Sequence, residues 1–167
     1  MELNTERLNL VPFSENYFNE VYNIFTNEYV RQYLFDNGVL DKDEALSFLT
    51  TSQQTFNDKQ YGLWVLKIKG YEKLIGFAGL WHFFEEPYPQ LLYTLLPNHT
   101  KKGYAIEASL KIIEYALNQL GFPYLDASCD TPNLASHKTS LAIGMKKFKE
   151  EDIHGQPTTF FRINSVL

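Results

Sequence analysis

Two lysines and a glycine, set between a strand-like run and a long helical pattern, carry the clearest chemistry in this chain. Leu95-Leu96-Pro97 ends an apolar run, Asn98-His99-Thr100-Lys101-Lys102 is a short polar loop, and Gly103 opens an amphipathic segment. The first amides of a helix have no intrahelical acceptor and lie at the positive end of its dipole. That layout suits a phosphate-bearing ligand. It is not a P-loop, which needs Gly-Lys-Ser/Thr. It is not a dinucleotide fingerprint either, which needs three spaced glycines. Further on, Asn133 precedes Ser136 by three residues at a predicted helix start, where it serves as an N-cap and is also free to meet a ligand. Glu85, Glu86 and His82 are titratable groups between two predicted strands, although Glu85-Glu86 before Pro87 also reads as a solvated turn. Cys129 is the one cysteine. It falls in the predicted buried strand Tyr124–Cys129, so no internal disulfide forms and an inert thiol is expected.

The elements that position these groups follow from periodicity. Arg7 to Pro12 alternates as a strand. Ser14 is expected to cap a helical segment with Phe18, Val21, Tyr22 and Phe25 on one face. A short helix covers Glu28 to Leu34, and Asp36-Asn37-Gly38 is a turn. Asp41 and Glu44 have capping-box spacing ahead of Ala45, Phe48, Leu49 and Phe56. Tyr61–Lys67 and Leu74–Phe84 read as strands joined near Gly70, followed by Gln90–Leu96. A helix runs from Tyr104 to Leu120 and stops at Gly121 and Pro123. Strand Tyr124–Cys129, helix Asn133–Ile143 ended by Gly144, and strands Met145–Glu150 and Thr158–Ile163 complete the chain. The order is an α+β layered domain with a mostly antiparallel mixed sheet, one β-α-β crossover and helices on both faces.

The chain has 167 residues, 44% of them hydrophobic, which fits a single domain with a sizeable core. Its net charge of −5 argues against a nucleic-acid partner. The polar N-terminus carries no signal-like apolar core, and no apolar run reaches membrane-spanning length. A cytoplasmic protein without a membrane partner or bound metal is the expectation.

The element order and three motifs resemble the GNAT superfamily of acyl-CoA-dependent N-acetyltransferases. Thr100-Lys101-Lys102-Gly103-Tyr104-Ala105, with Leu95 and Pro97 ahead of it, is similar to that family's Arg/Gln-x-x-Gly-x-Gly/Ala pyrophosphate loop, with Thr100 in place of Arg or Gln. Asn133-Leu134-Ala135-Ser136 through Gly144-Met145 resembles its Asn-x-x-Ser/Ala-x7-Gly-Phe, with Met145 for Phe. Thr5-Glu6-Arg7-Leu8-Asn9-Leu10 looks like the opening of the ribosomal-protein N-terminal acetyltransferase branch. The resemblance covers nearly the whole chain, as one domain spanning residues 1–167.

What it implies is acetyl transfer from acetyl-CoA, the cosubstrate, to a primary amine by direct attack. The acceptor is a small molecule or a protein N-terminus, and a homodimer is left open. The Leu95 amide would hold the carbonyl oxygen, and amides from Lys101, Lys102, Gly103, Tyr104 and Ala105 the pyrophosphate. Asn133 and Ser136 would meet the rest of the cosubstrate. Gln90 stands where the branch often has Glu and cannot accept a proton, so Glu85 and Glu86, with His82 as an alternative, are the candidate bases. An α-amino acceptor, with a pKa near ~8, is roughly a tenth neutral at pH 7 and needs little base. The family's helix tyrosine, a general acid, is replaced by Ser140, with Tyr104 or an unassisted thiolate departure as the fallbacks. Phe35, Trp81, Phe83, Phe84 and Tyr88 are candidates to line an acceptor pocket, or simply core. Gln90, Ser140 and Thr100 are equally what a non-catalytic acyl-CoA-binding sensor or interaction module would carry.

Overall fold

The computed structural model describes residues 1–166. One eight-stranded sheet runs in the order β1-β2-β3-β4-β5-β6-β8-β7. Its strands are β1 (Leu3–Asn4), β2 (Leu8–Pro12), β3 (Leu63–Ile68), β4 (Leu74–Trp81), β5 (Gln90–Leu95), β6 (Tyr124–Asp130), β7 (Lys146–Ile153) and β8 (Gln156–Asn164). Every neighbouring pair is antiparallel except β5 and β6.

Alternation along the strands divides the core into two layers. On one face Leu8, Leu10, Trp64, Leu66, Ala78 and Leu80 pack against Ala108, Ile112 and Ala116 of the crossover helix α4 (Tyr104–Glu114) and its continuation. On the other, Leu63, Val65, Phe77 and Leu92 pack against α1 (Phe18–Thr26), α2 (Glu28–Leu34) and α3 (Lys42–Lys59). The last helix, α5 (Leu134–Ala142), lies on the α4 side, leading into Ile143 and Met145 of that layer.

The expected α+β architecture is present. The capping box of α3 is complete, with the Glu44 amide donating to Asp41 Oδ1 at 2.8 Å and the Asp41 amide to Glu44 Oε2 at 2.9 Å. Four local expectations differ. Ser14 makes no side-chain cap: the chain enters α1 through a tight turn at Glu15–Tyr17, and the Ser14 carbonyl, not its hydroxyl, accepts from the Tyr17 amide at 3.0 Å. β4 stops at Trp81, short of Phe84, because β5 begins opposite it at Gln90 and Pro87 and Pro89 have no amide to extend the ladder. The helix after Gly103 widens into a π-turn over Tyr115–Gln119, where the Tyr115 hydroxyl donates to the Gln60 carbonyl at 2.7 Å. β7 and β8 extend to a two-residue turn, His154-Gly155, with φ of 53° and 86°. Positive φ at both positions matches the right-handed twist of a hairpin.

Candidate active site

The site lies where β5 and β6 part. They bridge at Gln90 and Asp126 only. On its other edge β5 is fully laddered to β4, and the Leu96 amide donates to the Ile75 carbonyl at 2.8 Å. Hydrogen-bonded and non-bonded pairs alternate in such a ladder. Leu92, Thr94 and Leu96 therefore spend their backbone groups on β4, and Tyr93 and Leu95 turn theirs toward β6. Beyond the bridge β6 does not meet them, and these amides face the gap. The bridge itself is anchored: Arg162 Nε and Nη2 donate to the two carboxylate oxygens of buried Asp126 at 2.7 and 2.8 Å. The Arg162 guanidinium also stacks 3.8 Å from the Tyr124 ring centre.

One cavity of about 510 Å³ fills the α4 end of the gap. Leu95, Lys101, Gly103, Tyr104, Ala105, Asn133 and Ser136 all line it, so seven residues from three separate stretches of sequence come together there. Thr100 is there as well, its hydroxyl turned to the Pro97 carbonyl at 2.9 Å. Lys102 is the exception. Its ammonium donates to the Asn98 carbonyl at 2.8 Å and its own carbonyl accepts from Arg7 Nη1 at 3.0 Å. Lys101 and Gly103 hold φ of 59° and 84°, a left-handed pair that turns the chain sharply into α4. Gly103 offers no side chain to cap the helix, so the first amides of α4 stay available to an anion.

Arg7 braces this loop from β2's approach. Its Nε pairs with Glu107 Oε2 at 2.6 Å, its amide donates to Glu107 Oε1 at 2.8 Å, and its guanidinium lies 4.6 Å from the Tyr104 ring centre. Burial works to raise the Glu107 carboxyl, but the hydrogen bonds from Thr5 and Arg7 and the Arg7 charge outweigh it and hold the pKa below the ordinary value. Asn133 caps α5, with Oδ1 accepting from the Ser136 amide at 3.3 Å.

A second cavity of about 520 Å³ continues from the first toward the tip of β6. The two share Tyr29, Tyr33, Tyr93, Thr94, Asn133 and Ser136 as a common waist. Ser140 lines the second cavity and is buried. Glu85 and Glu86 line neither; they lie on the β4–β5 connection, with Glu86 on the side of Arg162. His82 also stays out, its Nε2 2.9 Å from the Tyr61 hydroxyl, while its neighbour Trp81 turns to the opposite face against Phe48. Of the candidate aromatics, Phe83 and Phe84 wall this cavity, and Tyr88 packs on Phe122 and Tyr124 instead.

Two groups absent from the sequence expectations stand here. Tyr93 points its hydroxyl at α5, 3.5 Å from the Ser136 carbonyl and beside Thr139 and Ser140, and burial raises its pKa. Asp130, the last residue of β6, has its carboxyl raised by burial and then by the charge of Asp36, which lines the same cavity. Asp130 ends β6 and Tyr93 lies in the carboxyl half of β5, toward the end of the one parallel strand pair where open α/β sheets bind ligands. That rule was available from the predicted β-α-β crossover. Cys129 reaches the cavity too, but burial and then the Asp130 charge push its thiol up to about 11, so it stays protonated. No helix is long and apolar enough to cross a membrane, and no grouping of three metal-ligating side chains occurs among the described residues.

Comparison with known proteins gives this geometry a family. Residues 7–146 match the acetyltransferase (GNAT) domain model. The chain is 25% identical over 147 residues to the uncharacterized N-acetyltransferase YoaA of Bacillus subtilis (strain 168), covering 87% of this chain and 82% of that one. An acetyltransferase from Agrobacterium tumefaciens str. C58 superposes with a TM-score of 0.85 at 20% identity, over 98% of this chain and 94% of its own. RimL, a ribosomal L7/L12 alpha-N-protein acetyltransferase solved with coenzyme A, superposes with a TM-score of 0.84 at 11% identity, over 98% of both chains. The protein belongs to the GNAT acetyltransferase family and is an acyl-CoA-dependent N-acetyltransferase that takes its acetyl group from acetyl-CoA.

Proposed function

We propose that the protein acetylates a primary amine by direct attack on acetyl-CoA held along the split between β5 and β6, the amine entering from the cavity that Asp130 lines. One observation carries this reading. The unpaired amides of β5 and the uncapped start of α4 line one cavity, two carboxylates line the next, and Tyr93 stands at the waist between them. In this reading the amides of the 101–105 loop bind the pyrophosphate, with Lys101 adding charge. Asn133 and Ser136 contact the adjoining arm. The Leu95 amide donates to the thioester oxygen, where negative charge grows as the amine adds.

The attacking nitrogen must shed a proton. Glu85 and Glu86 lie outside both cavities, so that task is assigned to Asp130, which attracts the ammonium and takes its proton through water. Collapse of the tetrahedral adduct breaks the C–S bond, and the thiolate takes the Tyr93 phenolic proton. Burial keeps that phenol protonated. It thereby supplies from β5 the acid that Ser140 cannot supply from α5. The adduct's nitrogen sheds its second proton to solvent, Asp130 releases its own there and the phenolate takes one back, so the sum is ammonium plus acetyl-CoA giving amide, free CoA thiol and one proton.

The test is a turnover screen of acetyl-CoA against amino acids, peptides, polyamines and arylalkylamines, reading thiol release. Release that depends on an amine is the expected result. Tight acetyl-CoA binding with no release on any class would replace transfer by the binding-module reading.

A further inference from the structure

The cavity beyond the waist does not end at Asp130. Past Leu34, Phe83 and Leu92, which line both, it opens into a third space of about 290 Å³ walled by aromatic rings. Phe25 and Phe77 are fully buried at its floor, and Phe35, Phe48 and Trp81 form its sides. These rings hold one another. Phe25 meets Phe35 edge-on at 5.3 Å and Phe77 edge-on at 5.3 Å, and Phe48 lies 5.7 Å from Phe25 and 5.5 Å from Trp81. The notch is therefore preformed, with walls that need no ordering when something enters.

The rim shows the same character. Tyr29, Tyr33 and Phe83 remain 41%, 54% and 45% exposed, an unusual expense of aromatic surface in water beside a cavity. The opposite wall is anionic. Asp36 and Asp130 both line the central cavity, and neither forms an ion pair among the described residues. Asp36 is set there by a turn in which it and Asn37 both adopt positive φ, 49° and 61°, closed by the Gly38 amide on the Phe35 carbonyl at 2.7 Å. A carboxylate pair on one side and an aromatic notch on the other ask for one kind of occupant. It has a cationic nitrogen and, a few bonds away, a bulky apolar group.

We infer that the acceptor is a primary amine carrying an aromatic or similarly bulky apolar group, its ammonium facing Asp36 and Asp130 and its ring in the notch walled by Phe35, Phe48 and Trp81. This rests on the transfer reading above and names the acceptor class for it. A polyamine satisfies the carboxylates but leaves the notch wet. A short alkylamine leaves it empty. A free arylalkylamine and the N-terminal phenylalanine of a peptide share the required chemistry.

The test compares kcat/KM for phenethylamine, Phe-Gly-Gly, ethylamine and spermidine, in wild type and in Leu34→Trp, which narrows the opening between the two spaces. Filling an apolar pocket discriminates by about 10- to 200-fold per small group. A preference on the order of 10²-fold for the aromatic amines over ethylamine is expected. Leu34→Trp should erase it, bringing kcat/KM for phenethylamine down to the level of ethylamine. The ratio of phenethylamine to Phe-Gly-Gly separates a small-molecule from a peptide acceptor. A binding measurement runs beside it: Trp81 is one of two tryptophans, and the other, Trp64, is fully buried, so phenethylamine should quench Trp81 fluorescence. Ethylamine or spermidine used as well as phenethylamine would overturn the inference, as would absence of quenching. Quenching without turnover of any amine would leave the aromatic site standing and remove the transfer reading alone.

Discussion

Replacing Gly103 with valine tests whether the backbone before α4 binds acetyl-CoA. Gly103 holds φ of 84°. A side chain there costs about 1–2 kcal/mol, more for a β-branched one, because Cβ crowds the following carbonyl. Its Cβ would also come 3.1 Å from Arg7 Nη2, the free end of a flexible side chain that can give way. For a domain of this size each kcal/mol moves Tm by roughly 2–4 °C, so the unliganded variant should melt roughly 2–8 °C lower. Acetyl-CoA at 100 times its Kd stabilises wild type by about 2.7 kcal/mol, or roughly 5–11 °C. The variant relieves its strain by rotating the peptide planes around residue 103, which turns the loop amides off the phosphate. Two charge-assisted hydrogen bonds lost at about 1.5–3 kcal/mol each lower affinity by at least about 150-fold. At the same ligand concentration the remaining stabilisation is about 0.3 kcal/mol, roughly 1 °C. Differential scanning fluorimetry with and without acetyl-CoA reads both numbers. Gly103→Asn is the control, since asparagine tolerates the left-handed region and should keep most of the shift. A Gly103→Val protein that melts lower yet keeps the full wild-type shift would refute the loop as the phosphate site.

Tyr93→Phe should lower kcat on the order of 10²-fold with KM for acetyl-CoA nearly unchanged, and should remove the alkaline limb that ionisation of the raised phenol imposes on wild type; rate against pH checks both. Asp130→Asn should lose activity yet melt higher than wild type at pH 7. The folded carboxyl has a raised pKa, so folding takes up a proton, and the stability tied to it is present at low pH and lost as pH rises through the folded value. The Tm difference should therefore close toward acid, and a difference that widens there contradicts the assignment. Cys129→Ala should retain full turnover, and the wild-type thiol should react slowly with iodoacetamide at pH 8, because its pKa sits at about 11; rapid labelling would argue for a different environment.

Much of the site was legible because the residues that form it obey local rules. The strand–Pro–loop–Gly–helix run at 95–108 and the Asn133 cap both read from nearest neighbours, and the structure brings both to one cavity. The acid and base positions were not legible in the same way. Tyr93 looks like any inward residue of an alternating strand until α5 folds over it and sets its hydroxyl near Ser136. Asp130 acquires its raised carboxyl only from burial and from Asp36, which is distant in sequence. Glu85 and Glu86 drew notice by their acidity, whereas placement depended on where β4 stops, and two prolines decided that. Trp81 and His82 could not be assigned to faces because alternation fixes relative, not absolute, orientation; the core layers made the choice.

The single rung between β5 and β6 has a mechanical consequence. The sheet is built of two plates, β1 to β5 and β6 to β8, each fully laddered within itself and riveted to the other at Gln90 and Asp126. A long, hydrogen-bonding ligand laid in the seam acts as a ninth, borrowed strand that supplies the missing rungs. The plates then stiffen together when it is loaded and loosen when it leaves. Slow amide exchange across the seam would follow the ligand, not the fold, with the Tyr93 and Leu95 amides as its gauges. The gap that admits the cosubstrate is also the line in the sheet where two neighbouring strands share a single backbone bridge.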